Sequence, residues 1–126
     1  MRITTNEKVL AALLVVFIFC DILLSPVGFE TRGQAILSNS ASLPWFALLI
    51  IGLVLNIGAL IVLFFRSRLS SSIAILGSIL YLAVLVADQA RLVTAIPPPQ
   101  LITDVELVTF VVLVGAIVSA VRVLRA

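Results

Sequence analysis

The polar side chains of greatest chemical interest lie beside long apolar segments. Asp21 follows the uncharged run 9–20, and Asp88 follows the uncharged run 69–87. Ionisable groups at such places are costly in a membrane and by default indicate a functional site. We expect one polar cluster, which either binds a quinone-like headgroup, a lipid headgroup or a partner's loop, or forms ion pairs that hold the helix ends, with Arg91 paired with Asp88 or Asp21. Its expected members are Asp21, Glu30, Arg32, Asp88, Gln89, Arg91, Asp104 and Glu106.

Other kinds of chemistry are excluded by the residues that the chain lacks. It has no histidine, which excludes His-ligated haem and nucleophiles paired with histidine. Its one cysteine, Cys20, cannot form an internal disulfide or a C-x-x-C redox pair. The sequence therefore predicts no catalytic residue, no metal site and no cofactor held through His or Cys ligands. A quinone or a lipid is left as the candidate ligand.

The composition is that of a membrane protein. Of the 126 residues 63% are hydrophobic and 11% are charged, whereas soluble domains average about 45–50% apolar and about 25% charged. Mean hydropathy is +1.34. The formal net charge of +2 is too small to supply the basic face of a nucleic-acid-binding protein, so no nucleic-acid partner is expected.

Four segments are long and apolar enough to predict membrane-spanning helices, which need about 20 residues each. We expect an all-α fold, a single domain over 1–126 with helices at about 8–25, 43–65, 70–94 and 104–123. Pro26 is expected to end the first helix, and Thr103-x-x-Glu106 is expected to be the capping box of the fourth. The first segment is expected to be a span rather than a cleaved signal peptide, because no small-x-small site follows it.

Charge predicts the orientation of these helices. The basic residues flank alternate ends of the segments, so four spans place them on one side of the membrane. They are Arg2, Lys8, Arg66, Arg68, Arg122 and Arg125. The positive-inside rule makes this side cytoplasmic, with both termini inside. We expect a multi-pass protein of a prokaryotic cytoplasmic (inner) membrane.

Small and polar residues recur at helical spacing within the second, third and fourth segments. Small residues let membrane helices approach closely, and Asn can hydrogen-bond between them. These faces are expected to form an internal packing seam, with a partner-binding site as the alternative. The residues concerned are Gly52, Asn56, Gly77, Tyr81, Gly115 and Ser119.

The run Asp88-Gln89-Ala90-Arg91-Leu92 resembles the D-Q-x-R-L signature of DoxX-like and HTTM-type membrane proteins, which are also small four-helix bundles. The family pattern continues with Gln-Pro-Trp, whereas this chain continues with Val93-Thr94-Ala95. The resemblance implies a quinone- or sulfur-linked redox context, or a shared scaffold alone. It carries no catalytic residue over to this chain.

The function expected from these features is non-catalytic. We expect a small accessory or structural subunit that packs in the bilayer against a larger membrane complex. The first alternative is a DoxX-like component of a quinone-linked redox system that uses the region of Asp88 and Arg91. The second alternative is a membrane protein that binds a lipid or a small solute. A transport role is not favoured, because the inner halves of the four segments are almost purely apolar.

Overall fold

The computed structural model describes residues 3–38, 40, 42–90 and 100–125, and for 25–38 it describes the backbone alone. All regular structure in these ranges is α-helical. The helices are α1 (Thr5–Ser38), α2 (Leu43–Val62), α3 (Ser67–Gln89) and α4 (Gln100–Arg125). The expected all-α fold is confirmed. Three of the helices, α2, α3 and α4, are long and apolar enough to cross a membrane.

α1 begins earlier and ends later than the sequence predicts. The side chain of Thr4 accepts a hydrogen bond from the backbone N–H of Glu7 at 3.3 Å, and the carboxylate of Glu7 accepts one from the N–H of Thr4 at 3.4 Å. This capping box starts the helix at Thr5 instead of residue 8. The helix then runs through Pro26 to Ser38, so the expected connecting loop at 26–42 was wrong. An interior proline removes one backbone hydrogen bond and its ring crowds the carbonyl four residues earlier, which can kink a helix without ending it.

The boundaries of the other helices also shift. α2 ends at Val62 rather than 65, because residues 63–65 turn and the N–H of Phe65 donates to the carbonyl of Val62, three residues earlier, at 2.9 Å. α3 starts at Ser67 rather than 70 and its described part ends at Gln89 rather than 94. α4 starts at Gln100 rather than 104, which makes Thr103 an interior helix residue. The expected capping box at 103–106 was therefore wrong.

The four helices pack in a ring. α1 contacts α4 and α2, while α3 contacts α2 and α4, and the contact between α1 and α2 is the least extensive of the four. One core layer joins the beginning of α1 to the end of α4, through Leu10, Leu14 and Ala120. A second layer joins Phe17 of α1 to Tyr81 and Leu113. Neighbouring helices are therefore antiparallel.

This arrangement separates the charges of the described residues between the two ends of the bundle. The basic end carries Lys8, Arg66, Arg68, Arg122 and Arg125, together with the single carboxylate of Glu7. The acidic end carries Asp21, Asp88, Asp104 and Glu106. The side chains between these ends are overwhelmingly apolar, both inside the bundle and on its exterior.

Candidate functional site

Asp21 and Tyr81 form a buried hydrogen bond near the acidic end. The hydroxyl of Tyr81 donates to Oδ1 of Asp21 at 2.7 Å, and both side chains are buried. The tyrosine ring meets the ring of Phe17 edge-on, with centroids 4.7 Å apart and planes at 90°. Aromatic pairs favour this T-shaped arrangement. Since α1 and α3 are opposite one another in the ring, the bond ties the bundle together across its centre.

A second polar contact joins α3 to α4. Nε2 of Gln89 donates to Oε2 of Glu106 at 2.5 Å, and Glu106 is buried while Gln89 is exposed. Because α4 begins at Gln100, Glu106 lies beyond its first turn and is not a capping residue. The carboxylate faces the neighbouring helix instead of the first turn of α4.

Of the remaining members of the expected polar cluster, two have described side chains and three do not. Asp88 is buried in the last turn of α3, and Asp104 accepts a hydrogen bond from Nε2 of Gln100 within α4 at 2.8 Å. The side chains of Glu30 and Arg32, and the whole of Arg91, lie outside the described residues. The expected pairing of Arg91 with Asp88 or Asp21 therefore stays a prediction. The structure brings Asp21, Asp88, Gln89 and Glu106 to the same end of the bundle.

The seam between α2 and α3 brings the backbones of two helices close together. A Cβ atom added to Gly52 would lie 2.9 Å from the carbonyl oxygen of Gly77, and one added to Gly77 would lie 3.0 Å from that of Gly52. Asn56 is fully buried one turn further along α2. Its Oδ1 accepts a long hydrogen bond of 3.5 Å from Ser78, while its Nδ2 has no hydrogen-bond partner among the described residues.

The seam between α1 and α4 is built differently. A Cβ atom added to Gly115 would approach Cδ1 of Leu13 at 3.3 Å, so the contact is with a flexible side chain rather than with backbone. Ser119 is buried on the same helix, near the small residues Ala116 and Ala120. Leu10 and Leu14 of α1 fill the space that these small residues leave.

Ser70 is a contact residue that the sequence reasoning missed. Its hydroxyl donates to the backbone carbonyl of Ala59 at 2.5 Å, which joins the start of α3 to the end of α2. The next two serines, Ser71 and Ser72, donate to carbonyls one turn earlier in α3. Helical serines often make such bonds. The run Ser70-Ser71-Ser72 is the sequence signal from which this contact could have been predicted.

A lateral cleft lies between α3 and α4 near the acidic end, with a volume of about 340 Å³. Its walls are apolar and are formed by Leu85, Val86, Leu107 and Phe110. The polar side chains that line it are Gln89, Thr103 and Glu106. The Gln89–Glu106 contact thus borders a space large enough for a ligand, since ligand pockets begin at about 300 Å³.

Potential metal and redox groups are sparse in the part of the chain that the structure describes. No group of three His, Cys, Asp or Glu side chains there could hold a metal ion. Cys20 is buried with a free thiol. The described polar side chains chiefly hold helices together, and in the cleft three of them border an open space.

Comparisons with known proteins give no relative for this chain. No family model, no curated protein and no solved structure matches it.

Proposed function

We propose that all four helices cross the cytoplasmic membrane, with the basic end in the cytoplasm and the acidic end outside. The apolar lengths of α2, α3 and α4 support this, and α1 contributes the uncharged run 9–20. The separation of charge between the two ends supports the orientation, because Lys and Arg accumulate on the cytoplasmic side. Both chain termini then lie in the cytoplasm.

We further propose that the protein is a non-catalytic accessory subunit that packs laterally on a larger membrane complex. The observation that carries this proposal is the exposure of α2. In the most apolar 18-residue segment of α2, only 17% of the residues are buried in the bundle. The corresponding shares are 44% in α3 and 39% in α4. Because so little of α2 is covered by its own bundle, a broad face of this helix is accessible to another protein.

The exposed face of α2 has the features of a helix-packing surface. Val54, Ile57 and Ile61 project outward, and an added Cβ on Gly58 would meet nothing within 4 Å. Membrane helices associate by close van der Waals packing, which a small residue among branched ones permits. A partner helix can therefore approach α2 most closely at Gly58.

The hydrogen bonds described above support a structural role. Tyr81 joins α3 to α1, Gln89 joins it to α4, and Ser70 joins it to α2. Each of these side chains links two helices of the same chain. Such bonds stabilise the bundle as a unit that can dock through its apolar exterior.

Native electrophoresis of membranes solubilised in mild detergent tests the proposal. Wild-type protein is expected to migrate with a complex far larger than its own 13.5 kDa. Val54→Trp on α2 should release it, since the larger ring obstructs the packing surface. Val111→Trp on α4 is the matched control, because both valines are exposed, at 59% and 64%. Migration of the wild type as a free bundle, or equal release by both variants, would contradict the proposal.

A further inference from the structure

The four arginines whose side chains the structure describes all lie at the basic end of the bundle, and all four are exposed. Arg66 precedes α3, Arg68 is in the first turn of α3, and Arg122 and Arg125 are in the last turn of α4. Among the described residues, none of these guanidinium groups has an ion-pair or hydrogen-bond partner. Their positive charge is therefore not neutralised by the described part of the protein.

The other charged groups near this end do not alter its sign. Glu7 is the single described carboxylate there, and it accepts a hydrogen bond from the N–H of Thr4 at the start of α1. Lys8 adds a further exposed positive charge. The neighbouring positions outside the described residues, 1–2 and 126, hold one ionisable side chain, that of Arg2, which is also basic. The basic end therefore favours an anionic ligand.

The arginines of α3 and α4 continue the apolar stripes that these helices expose on the exterior. On α3, Leu76 and Ile79 are exposed about two and three turns after Arg68. On α4, Val118 is exposed about two turns before Arg125. Residues separated by whole turns share a helix face. Both arginines therefore lie on the surface that meets the bilayer in the proposed arrangement, at the height of the lipid headgroups.

Arg68 and Arg125 also lie at the same height. α3 and α4 are antiparallel neighbours, and each of two core layers holds one residue from either helix: Tyr81 and Leu113 in one, Ala74 and Ala120 in the other. Arg68 comes six residues before Ala74, and Arg125 comes five after Ala120. The two arginines are therefore level to within about 1.5 Å along the helix axes. Because neighbouring helix axes are about 8–10 Å apart, one headgroup can contact both side chains.

Phosphate is the anion that fits a pair of arginines at this height. The planar guanidinium group donates two parallel hydrogen bonds to phosphate oxygens. Basic side chains at the cytoplasmic surface of a membrane attract anionic lipids. Leu69 is exposed beside Arg68 and offers an apolar contact to an acyl chain.

We infer that Arg68 and Arg125 bind the phosphate of an anionic phospholipid of the cytoplasmic leaflet, on the outer side of α3 and α4. The inference rests on the membrane-spanning bundle proposed above but not on the partner complex. Phosphatidylcholine is the discriminating competitor, because it carries the same phosphate group but its choline cancels the net charge. Free inorganic phosphate is the other source of the same chemistry.

Native mass spectrometry of the purified protein provides the test. The protein is reconstituted into vesicles with equal amounts of phosphatidylglycerol and phosphatidylcholine with identical acyl chains, then extracted in mild detergent. The wild type should retain phosphatidylglycerol about 25-fold over phosphatidylcholine, since each of two arginines contributes about fivefold. Arg68→Gln should reduce the preference about fivefold. Arg68→Lys keeps the charge but loses the planar fork, so its preference should fall between the two.

Lys8→Gln is the matched control. It removes the same charge from an exposed side chain at the same end, but on α1, which lies opposite α3 in the ring. The preference should therefore remain near that of the wild type. Circular dichroism confirms that each variant remains helical. Equal losses in Arg68→Gln and Lys8→Gln would overturn the inference, because general charge would then explain the binding.

An excess of inorganic phosphate distinguishes the two sources of phosphate. It should leave the retained phosphatidylglycerol in place, since the acyl chains add contacts that the free ion lacks. Displacement of the lipid by inorganic phosphate would overturn its assignment as the ligand. Equal retention of the two lipids by the wild type would overturn the site alone, whereas retention of neither lipid would also contradict the membrane-spanning bundle. Since the isolated protein is measured, each result is independent of whether a partner complex is found.

Discussion

The hydroxyl of Tyr81 donates a 2.7 Å hydrogen bond to Oδ1 of Asp21, and this bond joins α3 to α1 across the ring of helices. The two residues are 60 positions apart in the chain. The ring of Tyr81 simultaneously packs against Phe17, so one side chain supplies both an apolar and a polar contact to α1. A charged or polar group buried at this depth requires such a partner.

Tyr81→Phe should lower the free energy of unfolding by about 1.5 kcal/mol, near the upper end of the range for hydrogen bonds between membrane helices. The ring contact with Phe17 is kept, whereas the buried carboxyl group of Asp21 loses a donor. The measurement is unfolding in mixed detergent micelles, followed by the fluorescence of Trp45, the single tryptophan. A double-mutant cycle with Asp21→Ala isolates the bond. Additive effects within about 0.3–0.5 kcal/mol would show that the bond contributes nothing.

Gly52→Ala should destabilise the bundle by about 1–3 kcal/mol, because the new methyl group would lie 2.9 Å from the carbonyl oxygen of Gly77. Gly58→Ala on the same helix is the matched control. Nothing lies within 4 Å of its added methyl group, so it should be neutral or stabilise the helix by up to about 1 kcal/mol. The same unfolding assay checks both variants. Equal effects of the two alanines would refute the close approach of α2 and α3.

Ser70→Ala should lower the free energy of unfolding by about 0.6–1.7 kcal/mol. The hydroxyl of Ser70 donates to the carbonyl of Ala59 in the neighbouring helix, and alanine cannot. Ser72→Ala should have almost no effect, because that hydroxyl is exposed and bonds within its own helix at 3.2 Å. Thermal unfolding in detergent, followed by circular dichroism, compares the two substitutions. A Ser72→Ala variant as unstable as Ser70→Ala would contradict this assignment.

The number and order of the helices could be predicted from the sequence because apolar length and charge spacing are local properties. The ends of the helices were predicted less well. Two T-x-x-E patterns occur, at Thr4–Glu7 and at Thr103–Glu106, and only the first caps a helix. In the second, Glu106 bonds Gln89 instead, and local spacing cannot reveal that a neighbouring helix supplies a competing partner.

The polar contacts were predicted as a region, and the one pair predicted within it involves Arg91, which lies outside the described residues. The position of each residue along its predicted helix placed Asp21, Asp88 and Glu106 at one end of the bundle. It does not specify in which direction around the helix axis each side chain points. Tyr81 was therefore assigned to a packing face, and its bond to Asp21 was not foreseen. The cleft was not foreseen either, because it depends on the spacing between α3 and α4.

Cysteine accessibility in intact spheroplasts tests most directly the central claim, that four helices span the membrane with the acidic end outside. Single cysteines replace Thr5, Ser40 or Ser67 in a Cys20→Ala background and are exposed to a membrane-impermeant maleimide. Position 40 alone should be labelled in intact spheroplasts, and positions 5 and 67 should be labelled only after the membrane is permeabilised. Labelling of both 5 and 40 from outside would show that α1 does not span. Labelling of position 67 from outside would show that the orientation is reversed.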